Sequence, residues 1–117
     1  MNGDPGYALQ QLELAILDLA TGAGDLRSRL KYIDSSHLHV INEHAFPEEL
    51  KQDWKNIKKA LSKKGPVKDS EGEIFTGAVD NTLRGMKSKT ATKIANDILV
   101  LRDKLRGYFE DLAQNKP

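Results

Sequence analysis

The most regular apolar pattern of the chain lies near its C-terminal end. Between residues 89 and 115, apolar side chains recur alternately four and three positions apart: Ile94, Ile98, Leu101, Leu105, Tyr108 and Leu112. Residues at this spacing share one face of an α-helix. We therefore predict one helix over residues 89–115, roughly 35 to 40 Å long at about 1.5 Å per residue. Its apolar face is expected to pack inside a helical bundle, although about three heptads also reach the lower limit for a coiled-coil dimer.

The N-terminal part of the chain has the same helical periodicity. Asp4 is a good N-capping residue, Pro5 suits the first helical position, and the Thr-Gly-Ala-Gly run at residues 21–24 is expected to end the helix. Leu14 and Leu17 add apolar surface outside the main face. A helix that is apolar over so much of its circumference is expected to contact neighbours on two sides.

Two further helices are predicted in the middle of the chain. Asp25 can cap a helix over residues 26–42, in which apolar residues keep helical spacing with one irregular step. Pro47 can open the next helix, over residues 47–63, because proline is favoured at the first helical position.

A fourth short helix is predicted over residues 75–87. Ser70 and Glu73 have the spacing of a capping box just ahead of it. Gly77 and Gly85 fall inside this range, and each costs about 1 kcal/mol in a helix interior relative to alanine. Either these glycines allow another helix to approach closely, or the helix is shorter than its apolar pattern suggests.

These patterns together predict an all-α protein, a compact antiparallel bundle of four to five helices with the first and last at its centre. Residues 1–117 are expected to form a single domain. Ser88 or Thr90 is expected to cap the last helix. No segment shows the alternation of apolar and polar residues that is typical of a strand.

The amino-acid composition argues against several classes of protein. The chain is 38% hydrophobic and 30% charged, with a net charge of +1, so no overall charge attracts it to nucleic acid or anionic membrane. The absence of cysteine excludes disulfide frameworks, thiolate zinc sites and cysteine nucleophiles. Residues 1–6 carry no basic residue, and the apolar stretch 12–20 is interrupted by Glu13 and Asp18. We expect a soluble cytoplasmic protein.

Three histidines lie within eight residues, at His37, His39 and His44. On one helix His39 would lie about 200° from His37, so the three side chains do not converge on a metal ion. Arg27 and Arg29 precede them, but the smallest gap leaves seven intervening residues, whereas HEPN ribonucleases have an arginine four to six residues before the histidine. We therefore predict no metal site, no cofactor and no catalytic residue.

Charge is distributed unevenly along the chain. Residues 1–26 contain four acids and no lysine or arginine. Residues 55–68 contain six lysines and no acid: Lys55, Lys58, Lys59, Lys63, Lys64 and Lys68. Arg84, Lys87, Lys89 and Lys93 form a second basic cluster. If the two clusters lie at the same end of the bundle, they form one patch that can contact phosphate without reading sequence; otherwise they form an ordinary solvated face.

Several segments resemble a set of short, all-helical bacterial proteins. The segments are LATGAGDLRSRL at residues 19–30, FPEEL at 46–50, TLRGM at 82–86 and KIA at 93–95. The resemblance implies that the whole chain is one stand-alone helical unit, and it carries no function. It draws attention to Arg27 and Arg29, which can pair with a carboxylate of another helix or contact an acid or phosphate of a partner.

The sequence therefore favours a small non-enzymatic interaction or regulatory protein that acts through a helical surface, with a protein partner or a second copy as a homodimer. Non-specific nucleic-acid binding through the lysine-rich third helix and the loop after it is the alternative. A hydrolase that acts on RNA through His37 or His39 is a third hypothesis.

Overall fold

A computed structural model describes residues 3–115. Over these residues the chain forms five α-helices, three short 3-10 turns and a two-stranded antiparallel β-ribbon. The α-helices are α1 (Pro5–Thr21), α2 (Leu26–Ser36), α3 (Lys51–Leu61), α4 (Ala78–Arg84) and α5 (Ser88–Gln114), and the strands are β1 (Val67–Lys68) and β2 (Ile74–Thr76). The all-α bundle predicted from the sequence is confirmed. None of the helices within residues 3–115 is both long enough and apolar enough to cross a membrane.

Helix α1 begins and ends as its sequence predicts. The Asp4 carboxylate accepts the Gly6 backbone N–H at 2.8 Å, and Pro5 is the first helical residue. At the other end the Gly22 N–H donates to the Asp18 carbonyl oxygen at 2.8 Å. A Cβ on Gly22 would lie 2.6 Å from that oxygen, so only glycine fits this helix end without a shift of the backbone.

The core is built around α5. Its predicted stripe is buried at Ile94, Ile98, Leu101 and Leu105, where α5 packs against α1, α2 and α3. The core residues of α1 are Ala8, Leu12, Ala15 and Leu19. Most of the apolar stripe of α5 is therefore buried within the bundle.

Leu14 and Leu17 do not join this core. Helix α1 contacts both α2 and α5, but Leu14 and Leu17 are exposed. The prediction that they mediate those contacts is wrong, because at 100° per residue they lie far from the line of buried residues on α1.

An ion-pair cluster joins α1 to α5. Glu13 Oε1 lies 2.9 Å from Arg102 Nη1, and Glu13 Oε2 lies 2.6 Å from Arg106 Nη2. Partial burial acts to raise the pKa of Glu13, but the hydrogen bonds from the two guanidinium groups outweigh it and lower that pKa. The Glu13 carboxylate is thus held ionised between the two helices.

The segment between α2 and α3 departs from the predicted helices. Helix α2 ends at Ser36 rather than near residue 42, and α3 begins at Lys51 rather than at Pro47. Three 3-10 turns fill the interval: Leu38–Val40, Glu43–Ala45 and Glu48–Leu50. The Asn42 side chain accepts the His44 N–H at 2.9 Å, and proline disfavours helical backbone in the residue before it, so the chain cannot continue as one helix.

Residues 67–76 form the β-ribbon, although no segment of the sequence has the alternation that is typical of a strand. The prediction of a capping box at Ser70 and Glu73 is wrong, since both residues lie between the strands. Asp69 Oδ1 organises the turn instead, because it accepts the N–H groups of Glu71 and Glu73, each at 2.9 Å. Gly72 has a φ of 84°, a conformation that favours glycine.

The fourth helix is shorter than predicted, because residues 74–76 belong to β2. Helix α4 covers only Ala78–Arg84, and Gly77 and Gly85 are its N-cap and C-cap. The interpretation of a short helix is confirmed, and neither glycine lies in a helix interior. The molecule extends over 61 × 29 × 20 Å.

Candidate functional site

A cavity of about 460 Å³ lies where the end of α3, the end of α4 and the start of α5 meet. Its wall is mostly apolar and includes Ala60, Met86 and Ile94. Four lysines and one aspartate also line it: Lys63, Lys64, Lys87, Lys93 and Asp97. Lys93 pairs with Asp97 at 3.0 Å, so three of the four lysines are free of an ion pair within residues 3–115. The volume lies within the range of ordinary ligand sites, roughly 300–1,000 Å³. The two basic clusters of the sequence therefore meet around one cavity.

Backbone and side-chain hydrogen bonds bring the clusters together. The Lys64 N–H donates to Thr82 Oγ1 at 3.0 Å, and Asn81 Nδ2 donates to the Gly65 carbonyl oxygen at 3.0 Å. Both bonds hold the chain after α3 against α4. Lys64 Nζ lies close to Gly85. A Cβ placed on that glycine would be only 3.2 Å from the lysine nitrogen. The turn from α4 into α5 then adds Lys87 to the same rim.

Ion pairing divides the lysines into two groups. Lys55 pairs with Glu43 at 3.3 Å, and Lys58 pairs with Asp34 at 3.1 Å and lies over the Trp54 ring. Within residues 3–115, six lysines have no carboxylate within 4.0 Å, and all six lie between residues 59 and 89: Lys59, Lys63, Lys64, Lys68, Lys87 and Lys89. Three of the six, Lys63, Lys64 and Lys87, line the cavity.

The start of α5 adds to this charge. Its N-cap is Lys87, whose side chain makes no capping hydrogen bond, so the prediction that Ser88 or Thr90 caps the helix is wrong. Thr90 instead lines the cavity. The first backbone N–H groups of a helix carry the positive end of its dipole, which here lies beside the free lysines. The site is therefore suited to carboxylates or phosphates.

The β-ribbon begins three residues after Lys64, which lines the cavity, and it has two exposed apolar side chains. Ile74 is 64% exposed and Phe75 is 78% exposed. Arg84 Nη2 lies 3.5 Å from Thr76 Oγ1, which connects the end of β2 to α4. The predicted fourth helix included Phe75, although the turn-forming residues of the segment 69–72 are typical of a hairpin.

Arg27 and Arg29 make contacts within the chain. Arg27 pairs with Asp25 at 3.1 Å, and its Nη1 lies within 3.5 Å of the carbonyl oxygens of Arg84 and Met86. Arg29 Nη1 donates to the Leu19 carbonyl oxygen at 2.6 Å, at the end of α1. Contact of either arginine with a partner stays a prediction.

The three histidines do not come together. His37 Nε2 lies 2.6 Å from Asp18 Oδ2, and its Nδ1 lies 3.3 Å from Gln11 Oε1, so this ring connects α2 to α1. His39 and His44 are exposed on separate 3-10 turns. In the part of the chain that the structure describes, no group of three or more His, Cys, Asp or Glu side chains is arranged to hold a metal ion.

Asp25 makes stability depend on pH. Its carboxylate accepts the Ser28 backbone N–H at 2.9 Å and pairs with Arg27. These contacts, the Ser28 hydrogen bond first, lower the pKa of Asp25 from its ordinary value of 3.8 to about 2. A carboxyl group with a lower pKa in the folded chain stabilises the fold above its unfolded pKa, and that contribution is lost as the pH falls toward the folded pKa.

We therefore expect the wild-type protein to lose more stability than the Asp25→Asn variant between about pH 4 and pH 2. Asparagine still caps a helix but does not titrate, so the two proteins differ mainly in this one group. Urea unfolding at neutral pH, at about pH 4 and at about pH 2 measures the difference. Equal losses in the two proteins would contradict the prediction.

No protein-family model matches the chain, and comparisons with curated proteins and with solved structures find no significant match.

Proposed function

We propose that this protein is a non-enzymatic interaction protein, and that its lysine-lined cavity binds an acidic, partly apolar segment of a protein. The observation that carries the proposal is the gathering of unpaired lysines around an apolar wall. Burial of apolar side chains against Ala60, Met86 and Ile94 supplies affinity. The lysine ammonium groups favour acidic partners, reject basic ones and accelerate the encounter.

Nucleic-acid binding through the same lysines is the second candidate. It is favoured by the meeting of the two basic clusters at one end of the bundle. One observation favours a protein partner instead. The cavity wall is mostly apolar, whereas contacts to a phosphate backbone are polar and charged.

A fluorescently labelled peptide that alternates glutamate with phenylalanine tests the proposal. We expect it to bind the wild-type protein, and a peptide with lysine in place of glutamate not to bind. The double variant Lys63→Glu, Lys64→Glu replaces two attractions with two repulsions. Since one exposed ion pair contributes up to about 1 kcal/mol, we expect the Kd to rise at least about tenfold. Fluorescence anisotropy measures each Kd.

The matched control is Lys55→Glu with Lys104→Glu. Both lysines are ion-paired away from the cavity, with Glu43 and Asp53, and the pair of substitutions changes the net charge by the same amount. We expect this control to bind the peptide nearly as the wild type does. An equal loss in both double variants would contradict the assignment to the cavity. Binding of single-stranded DNA alone, with an affinity that falls steeply as salt rises, would favour the second candidate.

A further inference from the structure

The β-ribbon exposes more apolar surface than its own chain covers. Ile74 and Phe75, 64% and 78% exposed, follow each other in β2. An isolated two-stranded ribbon is marginally stable in water, and this one has strands of only two and three residues. A surface that buries both side chains would therefore stabilise the ribbon as well as the complex.

The ribbon also carries free negative charge. Asp69 is engaged by the N–H groups of the turn. Glu71 and Glu73 are exposed, and no lysine, arginine or histidine of the described chain lies within 4.0 Å of their carboxylates. The ribbon thus presents two apolar side chains, two free carboxylates and one free lysine, Lys68, so its free charge is negative. This is the chemistry that complements an apolar cavity with free lysines on its rim.

The ribbon cannot fill the cavity of its own chain. Only Gly65 and Pro66 separate Lys64, which lines the cavity, from the start of β1. The hydrogen bonds from Lys64 to Thr82 and from Asn81 to Gly65 fix this connection against α4. The ribbon is held close to its attachment point, and Ile74 and Phe75 are exposed and do not line the cavity.

We infer that the segment bound by the cavity is the β-ribbon of a second copy of this chain. The inference rests on the proposed function, because it names the partner of the same cavity. Each copy supplies one ribbon and one cavity at the same end of the molecule. Two copies related by a twofold axis therefore exchange ribbons, and the reciprocal contacts close the assembly as a dimer rather than a filament.

A charge exchange tests the dimer. In the double variant Glu71→Lys, Glu73→Lys the ribbon is basic, and in Lys63→Glu, Lys64→Glu the rim of the cavity is more acidic. Each variant alone repels itself at two symmetric contacts, so we expect its dimer Kd to rise about a hundredfold, tenfold for each contact. In an equimolar mixture every basic ribbon meets an acidic rim and every acidic ribbon meets a basic rim, so the dimer is restored.

Sedimentation equilibrium or light scattering over a range of concentrations measures the result. We expect the wild type and the mixture to approach twice the 13.0 kDa of one chain, and each variant alone to stay near 13.0 kDa. The control Glu110→Lys, Asp111→Lys makes the same change of charge at exposed positions near the other end of α5, and it should remain dimeric. Restoration by mixing also shows that both variants are folded.

Three results would overturn the inference: a monomeric wild type, dimers that persist in both variants, or a mixture that stays monomeric. The Glu71→Lys, Glu73→Lys protein is also titrated with the acidic peptide. This titration shows whether only the dimer is wrong or whether the cavity fails to bind acidic segments at all. If the peptide binds while no mixture self-associates, the cavity serves another protein. If neither occurs, both proposals are wrong.

Discussion

The Leu105→Ala variant will lose about 2–5 kcal/mol of unfolding free energy, because the substitution leaves a cavity that the surrounding helices fill only partly. Leu105 is completely buried on α5, in the stripe that packs against the other helices. Urea unfolding followed by far-ultraviolet circular dichroism measures the change. An unchanged m-value would show that the compactness of the two end states has not changed.

Leu112→Ala is the matched control. Leu112 continues the same stripe two helical turns later, yet it is 45% exposed. Its truncation should change stability by about 0.5 kcal/mol or less. A loss as large as that of Leu105→Ala, together with a dependence on protein concentration, would mean that the end of α5 is buried between two chains. That result would favour the coiled-coil interpretation of this helix and contradict the contacts within the bundle.

Trp54→Ala will be about as costly, with a loss of about 3–5 kcal/mol. Trp54 on α3 is buried, and its ring centroid lies 5.2 Å from that of Phe46, in the segment of 3-10 turns. Lys58 Nζ lies 5.7 Å from the same ring. The tryptophan therefore holds an irregular segment against a helix, and its loss should loosen that segment as well as destabilise the whole fold.

Trp54→Phe separates the two contributions. Phenylalanine keeps an aromatic ring against Phe46 but fills less volume, so we expect a clearly smaller loss than for alanine. Hydrogen exchange of the backbone N–H groups of residues 38–50 should accelerate in Trp54→Ala before those of α5 do. Equal acceleration throughout the chain would show that the segment opens only with the whole protein.

A dimer formed by ribbon exchange would give the lysine-rich end a role that does not require nucleic acid. It would also explain why Lys63, Lys64 and Lys87, which line the cavity, have no carboxylate within 4.0 Å among the residues that the structure describes. The concentration and salt dependence of the molar mass distinguish the two uses of the same surface. An interface with an apolar centre weakens only modestly with salt, whereas phosphate contacts weaken steeply.

Local sequence determined the well-formed helices. The face of α5, the opening of α1 at Asp4 and Pro5, and the N-cap of α2 at Asp25 all followed from residues within a few positions of one another. These features are readable because helical hydrogen bonds, caps and side-chain periodicity act over one or two turns.

Secondary structure was predicted wrongly for short apolar runs, where helix and turn signals occur in the same few residues. Phe75 fits a helix by its spacing to later residues, and Ser70 with Glu73 fits a capping box, yet Asp69 closes a turn through two backbone N–H groups. Likewise the apolar residues after Ser36 continue a helical spacing although the backbone forms 3-10 turns. A pattern of a few residues does not distinguish a strand or turn from the edge of a helix.

The sequence by itself determined the all-α class, the central helix and the existence of two basic clusters. Only the tertiary structure decided that the clusters meet, that their lysines surround an apolar cavity, and that a ribbon with complementary charge lies beside it. The physical reason is the separation along the chain of the residues that interact. A helix face is set by neighbours along the chain, whereas Lys63 and Lys87 are brought together by packing among three helices, which no local spacing records.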